Sequence, residues 1–269
     1  MEFFDSHAHY DDEKFDEDRE EIIKQIYNEN ITKFMSAGYD LKSSKKGIEL
    51  ANKYDFIYTT SGISPDGLKD SIEETGKEIE RLRELIINYK NEKKQNGEKD
   101  KIVGIGEIGL DYYWNKENKE IQKFAFIKQI ELANELNLPI AIHTREAVMD
   151  TLEVLKQNPV NKKGVFHCCP FNRELVKEAL KLDFYISIAG PVTFKNSKNA
   201  PEIIQMVPID KMLIETDSPY LAPEPVRGTR NDSRNVKYTA NKIAELKGLT
   251  LEEVAKATYE NAKRLYGIE

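Results

Sequence analysis

Apolar and polar positions along this chain follow two alternating periods. Short, nearly continuous apolar runs recur at Phe3 to His9, Lys33 to Gly38, Ile57 to Ile63, Ile102 to Gly109, Pro139 to Thr144, Gly164 to Cys168, Phe184 to Gly190 and Met212 to Ser218. Runs of this length and character predict strands covered on both faces. Between them lie stretches such as Arg19 to Asn30, Ile121 to Leu136 and Leu175 to Leu182, whose apolar residues recur at three- and four-residue spacing and predict helices. Strand and helix alternating in this way predict an α/β fold, a (β/α)8 TIM-type barrel, with residues 1–269 as a single domain. An open doubly wound sheet shares the alternation, but it gathers its ligand from few strands, and here polar residues end many of the runs.

The longest helical region is Ser71 to Lys101, which ends in a polar stretch from Lys90 to Gly97. Its mixed charges predict a solvated helix and loop rather than a nucleic-acid patch. Near the end of the sequence, Thr250 and Glu253 form a capping box ahead of an apolar stripe, and Gly267 supplies a stop, which predicts a final helix.

All four histidines end apolar runs: His7 and His9 the first, His143 the fifth and His167 the sixth. Two carboxylates join them, Glu107 in the fourth run and Asp217 in the eighth. In a barrel the catalytic groups sit at the carboxyl ends of the strands, so these six converge on one mouth. Taken singly, each is an ordinary core histidine or a helix cap; taken together, six such groups without a cation would leave partly buried polar atoms uncompensated. Six ligands exceed what one tetrahedral ion needs and fit a pair of divalent ions bridged by a carboxylate. Histidine donors favour zinc, manganese or iron, and phosphodiester chemistry often uses magnesium; the expected cofactor is two divalent ions, Mg, Mn or Zn. In the eighth run, strand alternation would put Leu213, Glu215 and Asp217 on one face.

Composition bounds the setting. Hydrophobic content of 39% and charged content of 32% belong to an ordinary globular protein. No apolar stretch approaches membrane-spanning length, and the first residues lack the pattern of a secretory signal. The two cysteines are the neighbours Cys168 and Cys169, which is no disulfide framework; a cytoplasmic location without membrane contact is expected. Alternation past His167 would turn Cys169 to the same side as that histidine. A net charge of −7 argues against binding long nucleic acid over the whole surface, yet two dications against two carboxylates leave the mouth attractive to an anion.

Candidate anion contacts are Arg227 and Arg230, which follow the stiff Pro219 to Pro225 loop, and Arg145 beside His143. Tyr112, Tyr113 and Trp114 offer a stacking surface for a base or packing over the barrel end, with Tyr112 counted among the substrate contacts. The run Gly104 to Gly109 matches the dinucleotide pattern G-x-G-x-x-G, but an aromatic loop follows where a helix should open, and Glu107 would face the phosphates. Close backbone approach around a metal carboxylate is the better use for those glycines.

Asp5-Ser-His-Ala-His9, Gly106 to Tyr113, Ile142-His-Thr-Arg145, His167-Cys168, Glu215 to Pro223 and Arg227-Gly-Thr-Arg-Asn231 together resemble the TatD-type metal-dependent deoxyribonucleases of the amidohydrolase-like superfamily, over essentially the whole chain. The resemblance implies that His7, His9, Glu107, His143, His167 and Asp217 are the metal ligands, in agreement with their placement. It further implies hydrolysis of phosphodiesters in DNA, from an end or in a single strand, with Glu107 as the bridge, Asp217 as the proton acceptor, and Asp5 and Glu215 as supports. Two departures stand out. Gly62-Ile-Ser-Pro-Asp66 carries Ser64 and Asp66 where the family has histidines, and Cys169-Pro-Phe171 replaces an aromatic residue followed by Ser-Gly. The rivals are a related hydrolase acting on another ester such as D-aminoacyl-tRNA, and a scaffold that binds metal without turnover.

Overall fold

The computed structural model describes all 269 residues. Its elements in chain order are β1 (Phe3–Ala8), α1 (Arg19–Asn28), β2 (Ile31–Ala37), α2 (Leu41–Lys53), β3 (Ile57–Ser61), α3 (Ile72–Asn96), β4 (Ile102–Asp111), α4 (Lys119–Leu136), β5 (Ile140–Arg145), α5 (Val148–Gln157), β6 (Gly164–Phe166), α6 (Arg173–Lys181), β7 (Tyr185–Ile188), α7 (Ala200–Met206), β8 (Met212–Ile214), α8 (Val236–Lys247) and α9 (Leu251–Tyr266). All eight expected strands are present. They form one eight-stranded sheet in the order β1 to β8, and a parallel bridge between Ala8 and Ser218 ties the segment after β8 back to the first strand. Sequential parallel strands alternating with helices make this the expected (β/α)8 barrel class. No helix is long and apolar enough to cross a membrane.

The chain divides into two compact units, residues 1–36 with 165–269, and residues 37–164. In the first unit, β1 pairs with β2 from Phe3 opposite Ile31 to Ala8 opposite Ser36, and β7 pairs with both β6 and β8. Its core gathers Phe4, Phe34, Ile186, Leu213 and Val254. The capping box of Thr250 and Glu253 opens α9, and Gly267 closes it in the left-handed conformation, as its sequence pattern predicts.

In the second unit, β4 is buried along its whole length and pairs with β3 on one side and β5 on the other. The helix α3 continues to Asn96, so most of the polar stretch expected as a loop is helical: Lys93 and Lys94 suit the negative end of the helix, and Gly97 caps it. The G-x-G-x-x-G run does not open a helix. Gly109 lies opposite His143 with a φ of 140°, and a Cβ there would fall inside the His143 carbonyl oxygen; a Cβ on Gly106 would meet Ala141. Both glycines let β4 approach β5 closely, as the sequence reading holds.

Gly109→Ala combines a backbone conformation foreign to side chains with a clash against main chain, and is expected to destabilise the fold by about 2–4 kcal/mol. Thermal unfolding checks this: the melting temperature should fall by roughly 4 °C or more, and an unchanged value would contradict the close approach.

Candidate metal centre

In the first unit the site begins where β1 ends. His7 and His9 are separated by two positions and both buried, and their Nε2 atoms stand 3.2 Å apart. Asp217 supplies the third donor, its Oδ1 lying 3.3 Å from His9 Nε2 and 3.8 Å from His7 Nε2. Donors about 2.0–2.1 Å from a tetrahedral ion lie roughly 3.3 Å from one another, so these separations suit one small cation held by all three. His167 follows β6, and its ring stacks on that of His7 with centroids 3.9 Å apart. Behind it lies the fully buried Glu215, whose Oε1 is 3.5 Å from His167 Nδ1 and accepts a hydrogen bond from the Cys168 amide at 2.6 Å. His7, His167 and Glu215 thus present a second group of mutually close donors.

The backbone that delivers Asp217 is not the extended strand expected from alternation. β8 ends at Ile214, the Glu215 amide still bonds to Ile188 of β7, and the chain then turns to β1: the Asp217 amide donates to the His7 carbonyl at 2.9 Å and the His9 amide to the Ser218 carbonyl at 2.7 Å. Asp217 takes a φ of 56°, so Glu215 and Asp217 do not share a strand face. The same correction applies to Cys169. β6 ends at Phe166 and Cys168 has a φ of 37°, so strand alternation does not orient Cys169, which is buried in the core.

Asp5, fully buried, braces this turn by accepting hydrogen bonds from the Thr216 amide (2.9 Å), the Thr216 hydroxyl (2.5 Å) and the Ser233 hydroxyl (2.5 Å). Burial pushes its carboxyl up to about 7 despite those donors. Asp217 goes the other way. Burial raises it, but the hydrogen bond from His9 and the charges of His9, His167 and His7 outweigh burial and hold it at about 2.

The second unit carries a carboxylate and imidazole cluster of its own. Glu107 projects from β4 with Oε1 3.0 Å from His143 Nδ1, while His143 Nε2 lies 2.9 Å from Asp111 Oδ2 at the end of β4. Asp111 is absent from the residues singled out in the sequence. Its position at a strand end, inside the Gly106 to Tyr113 motif, is the signal that could have found it. Burial raises Asp111, but the His143 hydrogen bond and those from the Trp114 and Tyr113 amides bring its carboxyl below the usual range. Asp66, at one of the two positions that depart from the family pattern, is raised by burial and then by the charge of Asp111.

The expected substrate contacts divide. Tyr112 is not a stacking surface: its ring is buried and its hydroxyl donates to Asp150 Oδ2 at 2.7 Å. Arg230 forms a two-pronged ion pair with Asp18 and also donates to the Lys14 carbonyl, which commits it to structure. Arg227 is half exposed, over the Phe194 ring and 3.8 Å from Glu224. Arg145 sits at the end of β5 with its guanidinium 4.0 Å from the Tyr113 ring centre.

Fold and donor set define a metal-dependent hydrolase built on a (β/α)8 barrel. The chain belongs to the TatD family, since the model of the TatD related DNase family matches residues 4–267. It is 42% identical to the metal-dependent hydrolase YabD of Bacillus subtilis, over 98% of this chain and 99% of that one. It is 34% identical to the metal-dependent hydrolase YcfH of Escherichia coli, over 98% of this chain and 96% of that one. Among solved structures, the TatD homologue YjjV of Escherichia coli superposes with a TM-score of 0.89 at 22% identity, over 99% of this chain and 98% of that one.

Because Asp217 is held at about 2 against an ordinary 3.8, its contribution to stability is complete above pH 3.8 and is lost as pH falls toward 2. In metal-free protein, Asp217→Asn is expected to lower the unfolding free energy by about 2 kcal/mol between pH 5 and 7, with the deficit narrowing below about pH 4. Denaturant titrations across that range check this, and a deficit that stays constant down to pH 3 would contradict the assignment.

Proposed function

We propose that this protein is a divalent-metal-dependent deoxyribonuclease that hydrolyses phosphodiester bonds in DNA, from an end or in a single strand. The observation that carries the reading is the set of His7, His9 and Asp217 donor atoms, separated by 3.2–3.8 Å. The reading assigns His7, His9, Glu107, His143, His167 and Asp217 as the residues that would hold two divalent ions, Mg, Mn or Zn, with Glu107 and Asp217 as the anionic donors. Such ions, when bound, supply Lewis acidity to the phosphoryl oxygens and make water a stronger acid.

The chain's own groups do the rest. A carboxyl held below the usual range is ionised throughout the neutral range, the state a metal ligand needs, and the reading also assigns Asp217 the proton of the attacking water, taken at its carboxylate oxygen. Asp5 fixes the turn on which Asp217 rides, and Glu215 holds the His167 ring from behind. Arg145, exposed at the end of β5, and Arg227, exposed after β8, are the cations suited to substrate phosphates. The family match supports DNA as the substrate. A cytoplasmic setting belongs to the same reading, in keeping with a chain whose two cysteines are sequence neighbours.

Labelled single-stranded DNA incubated with Mn²⁺ or Mg²⁺ tests the proposal. Cleavage should occur, should stop with EDTA, and should fall by about a hundredfold or more in Asp217→Asn while that variant still unfolds cooperatively. Turnover of D-aminoacyl-tRNA in place of DNA would replace the substrate. Metal binding with neither activity would leave a scaffold, to which the loss of histidines at Ser64 and Asp66 points.

A further inference from the structure

Two large rings stand in solvent beside the His143 cluster. Trp114 is 64% exposed and Tyr113 is 43% exposed, and they meet edge to face with centroids 4.7 Å apart. Packing over the barrel end would have buried them, as it buries Tyr112. The loop that carries them is not loose. Asp111 Oδ1 accepts from the Tyr113 amide at 2.8 Å and the Trp114 amide at 3.0 Å. The buried Gln122 clamps the same loop, accepting from the Asp111 amide and donating to the carbonyls of Asp111 and Asn115. Holding exposed aromatic rings in a fixed pose removes the entropy cost of ordering them on a ligand.

The third member is a cation. The Arg145 guanidinium lies 4.0 Å from the Tyr113 ring centre and 5.5 Å from that of Trp114. A guanidinium held by ring faces keeps its edge N–H groups for an anion. An aromatic surface and an anion-binding fork side by side match one ligand chemistry, a planar base attached to a phosphate. Asp111 joins this platform to the candidate centre, since its other oxygen is 2.9 Å from His143 Nε2.

We propose that Trp114, Tyr113 and Arg145 form a nucleotide subsite, in which Trp114 stacks on an unpaired base and Arg145 holds the adjoining phosphate. The proposal rests on the nuclease reading for the identity of the ligand, and it narrows that reading to single strands or frayed ends, because a base inside a duplex cannot reach the ring. Every base has a π-face, so the subsite tolerates any base.

Trp114 is the sole tryptophan of the chain, so its fluorescence reports the subsite directly. Metal-free protein in EDTA is titrated with single-stranded hexathymidylate and with an abasic hexamer of the same charge. Saturable quenching by hexathymidylate, absent with the abasic strand, is expected. By anisotropy of a labelled hexathymidylate, Trp114→Ala should weaken binding about tenfold to a hundredfold, and Trp114→Phe should recover most of the loss. Equal emission with both strands, or undiminished binding by Trp114→Ala, would overturn the subsite. Quenching without cleavage on adding Mn²⁺ would support the subsite and sink the nuclease reading; cleavage without quenching would do the reverse.

Discussion

The turn after β8 is the constraint on which the candidate centre depends. Beyond Ile214 the chain leaves β7 and bonds to β1 through the Asp217 amide and the Ser218 carbonyl, and only then does the Asp217 carboxylate stand among the imidazoles of His7 and His9. Those contacts bring donors from opposite ends of the sequence to within 4 Å. A partly shielded carboxylate set against two buried imidazoles is a donor arrangement that suits a divalent cation.

Two aspartates in this region, Asp5 fully buried and Asp217 partly exposed, show how surroundings decide a carboxyl's state. Asp5 faces hydroxyls and an amide and is pushed up to about 7 by burial, whereas Asp217 faces three histidines and is held at about 2. The first suits a structural brace that costs little when neutral. The second suits a ligand and proton acceptor that must stay ionised. In the other unit, Asp111 links His143 to the loop bearing Tyr113 and Trp114, so the pose of the exposed rings and the pose of the histidine are set by one carboxylate.

The strands were legible because parallel strands covered on both faces read as unbroken apolar runs, and the histidines because each ends such a run. The end of β8 was not, since alternation assumes that the chain stays extended and nothing local marks the left-handed backbone at Asp217. Asp111 escaped notice because its partner His143 lies on the neighbouring strand, a contact set by the register of β4 on β5. Nor does a turn have a period: of three consecutive aromatic residues, Tyr112 points inward to Asp150 while Tyr113 and Trp114 point out. Arg230 reads as an anion contact from local sequence because its ion-pair partner, Asp18, lies far away along the chain.

The most direct measurement is anomalous diffraction from crystals grown with Mn²⁺. The account predicts two strong peaks, one of them about 2 Å from His7 Nε2, His9 Nε2 and an Asp217 carboxylate oxygen. Anomalous density that avoids all three of these side chains would contradict it.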